Sequence, residues 1–385
     1  MISRITSRIT TTGLENTYIF SSKLFIVLFF TLSAGSLVSP VPLVAQQNIN
    51  HSNLLEYYSE NEKLETVLNP EDWYKRREQV LAGMQLAMGN LPDRHNLVDL
   101  DVKIASETIG EGYIRQTISF ASETGDRIPA LLYIPANIQK DKILPAMLAL
   151  HPTGPLGKLI VAGEGPLDNR QYGLELAQRG YVVLCPDYPS FGDYDYDFEQ
   201  DAYVSGTMKG IFNHMRCVDL LESLEYVDPE KIGVIGHSLG GHNAMFVGVF
   251  DQRLKVIVSS CGWTPFHDYY EGNIKGWTSP RYIPRLKDIY NLDPDLVPFD
   301  FYEVVAALAP RPFFSNSPLH DSNFSVEGVK KGVSEAAKIY KLLEVNEKLQ
   351  VRYPDCKHDF PKEIRKEAYD FIDATLNTGT KKMIE

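Results

Sequence analysis

The chain has 385 residues, of which 44% are hydrophobic and 23% charged, and its formal net charge is −12 at neutral pH. This length and composition fit a globular protein with a sizeable core and exclude a disordered or fibrous chain. The acidic balance argues against nucleic acid or an anionic membrane surface as a partner, because a polyanion gains nothing from approaching an acidic surface.

Residues 1–45 have the pattern of a secretory signal peptide. Arg4, Arg8 and Lys23 precede the apolar stretch LFIVLFFTLSAGSLV, and the segment ends in small residues at Ala45. A membrane anchor is the alternative, but the apolar core is shorter than the roughly 20 residues that a spanning helix needs. We therefore expect a secreted or periplasmic protein with no stable membrane insertion after cleavage.

Residues 46–100 are predicted to form an N-terminal helical extension. The stretch PEDWYKRREQVLAGMQLAM carries acidic residues at its start and apolar residues at helical spacing, which predicts a helix packed on the outside of the main domain. The apolar positions are Trp73, Val80, Met84, Leu86 and Met88.

Residues 101–380 are predicted to form the main α/β domain. It begins with three strands, VKIASETI, YIRQTISFAS and IPALLYIPA, whose GEG and ETGD turns indicate a β-meander at a sheet edge. From Lys142 onward strands, loops and helices alternate, which is typical of a mostly parallel sheet covered by helices on both faces. The strands of this part are LPAMLAL, YVVLCPD, KIGVIG, LKVIVSS, RPFFSNS and LQVRYP.

Residues 262–302 interrupt this alternation with no clean period and many aromatic residues. A loop of this length inside a compact domain is usually functional, so we interpret it as a cap over the site. Trp263, Trp277 and Tyr270 are candidates for stacking on a substrate ring. Packing of the cap against the sheet would account for the two tryptophans equally well.

The stretch VIGHSLGG predicts a nucleophile elbow at Ser238. Glycines flank this serine closely, as they must where a strand turns sharply into a helix and larger side chains would collide. The motif follows the strand-like IGVI and opens the helix-compatible run GGHNAMFVGVF. This context favours a catalytic serine over a structural one.

A catalytic serine needs a base to take its proton and a carboxylate to hold the base. After such an elbow, the order along the chain is serine, acid, histidine. Asp321 follows the strand RPFFSNS, and His358 follows LQVRYP downstream of every other histidine. Asp321 could instead cap a helix or form a turn, and His358 could be a solvated loop residue. We predict the triad Ser238, Asp321 and His358.

Two backbone N–H groups are predicted to form the oxyanion hole. One belongs to Leu239, at the amino end of the elbow helix, where the helix dipole favours negative charge. The other comes from the loop HPTGPLGK, in which Pro152 has no N–H to donate. Thr153 is therefore the better candidate, with Gly154 as the alternative.

The sequence predicts no metal centre and no cofactor. Its four cysteines, Cys185, Cys217, Cys261 and Cys356, show no CxxC spacing and no histidines at zinc intervals. Export would permit disulfides between them.

The run from about Leu144 to Leu376 resembles the α/β-hydrolase superfamily, and in detail its dienelactone hydrolase, prolyl oligopeptidase and acetyl xylan esterase branches. The segments that carry the nucleophile, acid and base of this resemblance are VDPEKIGVIGHSLGG, APRPFF with HDSNF, and YPDCKHDFPKEIRKEAYDFI. In the usual strand order of that fold, Cys185 and Cys261 end strands that lie ~14 Å apart. A disulfide needs Cα atoms within about 7 Å, so this pair is expected to be free.

These features favour a secreted serine hydrolase that cleaves carboxylic esters through an acyl-enzyme. Export, the acidic surface and the aromatic cap indicate a carbohydrate ester of the acetyl xylan type as substrate. A dienelactone-hydrolase-like esterase or lactonase is an alternative, as is a prolyl-oligopeptidase-like peptidase. That peptidase branch usually carries a propeller domain, for which the roughly 100 residues before the sheet are too few. A catalytically silent binding module should lack one triad member, and none is missing.

Overall fold

The computed structural model describes residues 50–136, 138, 142–200 and 202–376. The signal-peptide prediction for residues 1–45 lies outside these ranges. Among the helices of the described residues, none combines the length and apolar character needed to cross a lipid bilayer.

The described chain begins with a short antiparallel hairpin, β1 (Glu56–Tyr58) and β2 (Leu64–Thr66), which sequence periodicity did not predict because each strand has three residues. The helix α1 (Pro70–Met88) follows and confirms the predicted helix. The Asn69 side chain caps its start by accepting a hydrogen bond from the Asp72 N–H. Of the apolar positions expected to pack, four are buried, but Leu86 is 50% exposed, so it is not part of the buried face.

A nine-stranded sheet forms the centre of the molecule, in the order β11-β10-β9-β8-β6-β7-β5-β4-β3. Strands β6 to β11 pair in parallel, whereas β3, β4 and β5 form the predicted antiparallel meander at one edge, with β5 joined to β7. The strands are β3 (Lys103–Gly110), β4 (Tyr113–Glu123), β5 (Asp126–Pro135), β6 (Leu144–Leu150), β7 (Val182–Pro186), β8 (Val227–His237), β9 (Leu254–Ser260), β10 (Phe313–Asn316) and β11 (Leu349–Arg352).

Helices cover both faces of the sheet, as predicted for an α/β-hydrolase fold. Helices α2 and α8 share one hydrophobic core, and α1, α3, α4, α6 and α7 share the other. The interior strands β6, β7 and β9 and the second half of β8 are buried almost throughout, which explains their near-continuous apolar sequences. The helices after α1 are α2 (Tyr172–Gln178), α3 (Gly206–Ser223), α4 (Leu239–Phe250), α5 (Arg285–Asp288), α6 (Phe301–Ala307), α7 (Val326–Leu342) and α8 (Lys362–Leu376).

The irregular segment 262–302, the aromatic insertion, folds as single helical turns joined by loops and packs against α4. The Trp277 ring lies 4.8 Å from the ring of His242 on α4, and Phe301 stacks on Phe246 with ring centroids 5.8 Å apart. The N-terminal extension contacts the same region, because buried Arg76 of α1 forms an ion pair with buried Glu303 of α6. The extension therefore packs against α6, which begins at the end of this segment, through a buried charge pair.

Candidate active site

Ser238 occupies the sharp turn between β8 and α4. Its backbone has φ 54° and ψ −116°, a conformation that side-chain-bearing residues rarely adopt. The Ser238 N–H donates to the Ser260 carbonyl at 2.8 Å, and the Ser238 carbonyl accepts from the N–H groups of Gly241 and His242. The serine is thus held by the neighbouring strand on one side and by the first turn of α4 on the other.

The glycines of the elbow are required by close backbone approach. A Cβ on Gly236 would lie 2.1 Å from the carbonyl oxygen of Gly240. A Cβ on Gly240 would lie 2.0 Å from the carbonyl oxygen of Leu150, at the end of β6. Without these side chains, the backbone of the elbow packs directly against the end of β6, the strand that leads into the HPTGPLGK loop.

Asp321 and His358 form a hydrogen-bonded pair on the loops that follow β10 and β11. The His358 Nδ1 lies 3.0 and 2.9 Å from the two carboxylate oxygens of Asp321. The Asp321 Oδ1 also accepts from the N–H groups of Asn323 and Phe324, and its carboxylate is 1% exposed. Because a carboxylate only accepts, Nδ1 carries the proton and Nε2 is left free to accept one.

The loop that bears His358 is fastened from two sides. Arg170 donates to the His358 carbonyl at 3.0 Å and to the Asp359 carboxylate at 2.5 Å. On the other side, the buried Asn316 amide donates to the Asp359 carbonyl at 2.8 Å. These contacts restrain the backbone that carries the imidazole.

Asn316 also begins a chain of hydrogen bonds that leads to His237, the residue before Ser238. Its amide nitrogen donates to Ser260 Oγ at 2.8 Å, and Ser260 Oγ lies 2.9 Å from His237 Nδ1. The His237 ring meets the His358 ring edge to face, with centroids 4.9 Å apart. Burial holds the pKa of His237 well below its usual range, so a neutral ring packs beside the His358 imidazole.

The loop that carries Thr153 is anchored by a buried histidine. His151 Nε2 accepts from the Tyr188 N–H at 2.9 Å, so Nδ1 carries the proton and donates to the Pro152 carbonyl at 2.7 Å. Thr153 is exposed, and its hydroxyl lies 3.5 Å from the hydroxyl of Tyr282 in the aromatic insertion. Leu239 is the first residue of α4.

A buried ion-pair network supports the same loop. The Lys158 ammonium contacts Asp187 at 2.5 Å and Asp193 at 2.6 Å, and both Lys158 and Asp187 are almost fully buried. The Asp187 carboxylate also accepts from the N–H groups of Lys158 and Asp193. Methyl groups on Gly157 or Gly192 would collide with this carboxylate, so the two glycines leave room for the network.

The three aromatic candidates occupy different environments. Trp263 is 1% exposed, and its indole N–H donates to Ser315 Oγ at 3.0 Å. Trp277 is 4% exposed and packs among the aromatic rings of the insertion. Tyr270 is 52% exposed, and its hydroxyl donates to the Asn323 side chain at 2.7 Å. Of the three rings, that of Tyr270 is available to a ligand without movement.

All four cysteines are free, which confirms the expectation for Cys185 and Cys261. Cys261 follows β9, and its Sγ lies with a ring nitrogen of His358 and a carboxylate oxygen of Asp321, all within 4.8 Å of one another. Burial raises the pKa of this thiol well above its usual range. It is therefore a thiol rather than a thiolate.

Sequence reasoning missed the residues that position the acid–base pair. Arg170 lies in a loop far upstream of His358, and nothing in its local pattern indicates that contact. Asn316 and Ser260 are the last residues of β10 and β9, where side chains at carboxyl strand ends converge. Their position, as polar residues at the end of buried parallel strands, was the sequence signal that could have identified them.

Comparison with known proteins agrees with this architecture. Residues 169–378 match the model of the prolyl oligopeptidase family. The Bacillus subtilis (strain 168) protein YtaP, provisionally named a hydrolase, is 27% identical over 278 residues, covering 69% of this chain and 87% of YtaP. The carbohydrate esterase MZ0003, from an unknown prokaryotic organism, is 22% identical over 318 residues, covering 70% of this chain and 73% of that protein.

A solved structure shows the same fold over most of both chains. The glucuronoyl esterase from Solibacter usitatus superimposes with a TM-score of 0.67 at 18% identity, covering 85% of this chain and 98% of that one. This likeness confirms the α/β-hydrolase fold.

Proposed function

This chain belongs to the prolyl oligopeptidase family of the α/β-hydrolase superfamily, and from that premise we propose that it hydrolyses carboxylic esters through an acyl-enzyme on Ser238. The observation that carries the proposal is the Asp321–His358 hydrogen bond beside the strained elbow of Ser238. The pair directs the free Nε2 of His358 toward the role of general base.

In the proposed reaction His358 takes the proton of Ser238 as the hydroxyl attacks the ester carbonyl. The N–H groups of Leu239 and Thr153 stabilise the resulting oxyanion. The imidazolium then protonates the departing alcohol, which leaves the acyl group on Ser238. Water, deprotonated by the same imidazole, releases the acid and restores the serine.

The proposed substrate class is a carbohydrate ester. Two proteins similar to this chain carry names that state such activities, a carbohydrate esterase and a glucuronoyl esterase. The half-exposed Tyr270 ring offers a sugar-stacking surface near the Asp321 loop. We further propose that the enzyme is secreted or periplasmic, where polysaccharide esters are accessible.

Peptide hydrolysis is the second candidate, because the family that the chain belongs to is described by its oligopeptidases. A panel of acetylated xylan, glucuronoyl esters, aryl acetates and proline peptides, offered to one purified sample, separates the two. Cleavage of the peptides in preference to the esters would replace the esterase proposal.

The test of the serine mechanism is Ser238→Ala. We expect this variant to lose hydrolysis of p-nitrophenyl acetate while keeping the circular dichroism spectrum and the unfolding transition of the parent protein. Ser322→Ala, a serine in the loop after Asp321, is the matched control and should keep activity. Activity retained by purified Ser238→Ala would contradict the mechanism.

A further inference from the structure

The thiol of Cys261 lies beside the acid–base pair, yet no step of the proposed reaction uses it. The Cys261 Sγ, an Asp321 oxygen and a His358 ring nitrogen all lie within 4.8 Å of one another. The three residues come from the loops after the adjacent parallel strands β9, β10 and β11. The sheet therefore fixes the cluster at the ends of its strands.

The donor set selects one class of ligand. Thiolate sulfur and imidazole nitrogen are the preferred ligands of zinc, whereas magnesium and calcium prefer oxygen. Tetrahedral zinc with normal bond lengths holds its ligand atoms about 3.3–3.6 Å apart. The cluster's spacings of up to 4.8 Å need to contract by at most about 1.2–1.5 Å to reach those values.

We propose that Cys261, Asp321 and His358 form an inhibitory binding site for a thiophilic divalent cation such as zinc. One thiolate and one carboxylate would neutralise the ion, and solvent would supply the fourth ligand, since the His358 side chain is 24% exposed. The site itself follows from the geometry, and only its inhibitory consequence rests on the proposed function.

The ion stops proton transfer through Nδ1 of His358, the ring nitrogen that faces Asp321. Bound there, it replaces the hydrogen bond to Asp321 and leaves the ring proton on Nε2, which then cannot accept another. The Cys261 thiol proton leaves for solvent as the metal–sulfur bond forms.

The surroundings of the cluster are compatible with a cation. The nearby guanidinium of Arg170 is neutralised by the Asp359 carboxylate at 2.5 Å. The Ser260 hydroxyl lies 3.8 Å from Cys261 Sγ, where it can donate to a thiolate. A cysteine binds a metal ion as the thiolate, so zinc has to displace the thiol proton.

The experiment measures p-nitrophenyl acetate hydrolysis by the metal-free protein against added zinc chloride, with rates expressed relative to each variant's own zinc-free rate. We expect wild type to be inhibited reversibly, with activity restored by EDTA and unaffected by magnesium. Loss of an outer contact alone costs about 10–100-fold in metal affinity, so Cys261→Ser should raise the half-inhibitory zinc concentration by more than about tenfold. Cys356→Ser, two residues before His358, is the matched control and should be inhibited like wild type.

A second readout does not depend on activity. Cadmium added to Ser238→Ala should produce the ultraviolet absorption of a cadmium–thiolate bond, and the double variant Ser238→Ala/Cys261→Ser should not. If Cys261→Ser is inhibited at the same zinc concentration as wild type, or if the cadmium–thiolate band persists without the Cys261 thiol, the proposed metal site is wrong. An inactive protein that shows the band would contradict the proposed function and leave the metal site standing.

Discussion

At the scale of single residues, the Asp321 carboxylate determines which nitrogen of His358 carries the proton. Both carboxylate oxygens lie within 3.0 Å of Nδ1, and two backbone N–H groups fix the carboxylate in place. An asparagine at this position could present its amide N–H to the ring and stabilise the wrong tautomer. The negative charge that supports the imidazolium would also be lost.

We therefore expect Asp321→Asn to lower kcat for p-nitrophenyl acetate by a factor on the order of 10⁴, the scale known for such tautomer errors in another serine hydrolase. Asp355→Asn is the matched control, because that exposed carboxylate on the same loop as His358 contacts only His320 among the described residues. An unchanged kcat in Asp321→Asn would transfer the acid role to another carboxylate.

The proposed triad could be named from the sequence because chemistry restricts where a nucleophile, an acid and a base can lie. A serine between glycines at the end of a strand is typical of a nucleophile, and the acid and base must follow later strands. The residues that hold them were not predictable in the same way. Asn316 acts through two hydrogen bonds to residues distant in the chain, and such contacts leave no local pattern.

At the scale of elements, the loop that carries Thr153 depends on a buried charge. Lys158→Met would leave the Asp187 carboxylate buried with two backbone donors but without its cation. Removing one partner of a buried pair costs about 3–5 kcal/mol, so we expect urea unfolding to show a loss of that size. Asp193→Asn removes a carboxylate that is 73% exposed and should cost about 1 kcal/mol or less. Equal losses in the two variants would show that burial of the pair is unimportant.

The start of α6 carries a carboxylate whose ionisation opposes folding. Burial raises the pKa of Asp300 to about 7, although its carboxylate accepts from the N–H groups of Phe266 and Phe301. Between its ordinary pKa of 3.8 and about 7, the folded state keeps a proton that the unfolded state has lost. The contribution of Asp300 to stability is therefore full below the ordinary pKa and falls as pH rises toward 7.

Asp300→Asn should remove this dependence while keeping a helix-capping oxygen. We expect the free energy of unfolding of wild type, relative to that of the variant, to be smaller at about pH 8 than at about pH 5. Urea unfolding of both proteins at the two pH values measures this difference in the free energy of unfolding. A difference that does not change with pH would mean that Asp300 stays ionised throughout.

Most elements of the sheet and its helices were predictable from periodicity, whereas the insertion was not. Strands β6 to β9 are apolar because both faces are covered, and α7 and α8 bury one side each. The strand predicted over KIGVIG is longer in the structure, because β8 begins at Val227 with an irregular first part, where the register with β6 shifts. The insertion has single helical turns, whose positions depend on aromatic packing rather than on a repeating pattern.

At the scale of the whole molecule, the predicted signal peptide implies a mature chain that begins at Gln46. Expression of the full chain in a bacterial host should give a protein in the periplasm or medium whose intact mass lacks residues 1–45. Its net charge would be −14 rather than −12, since three basic residues and one acidic residue leave. A membrane-bound product that retains the full mass would support the anchor alternative.

The three residues of the predicted triad follow β8, β10 and β11, and the base is the last of them along the chain. A ribosome therefore makes the nucleophile well before it makes His358, and a nascent chain with a finished elbow still has no group to accept its proton. Domains begin to form while synthesis continues. Hydrolytic power should thus appear only after the loop that follows β11 has been synthesised and has reached the elbow.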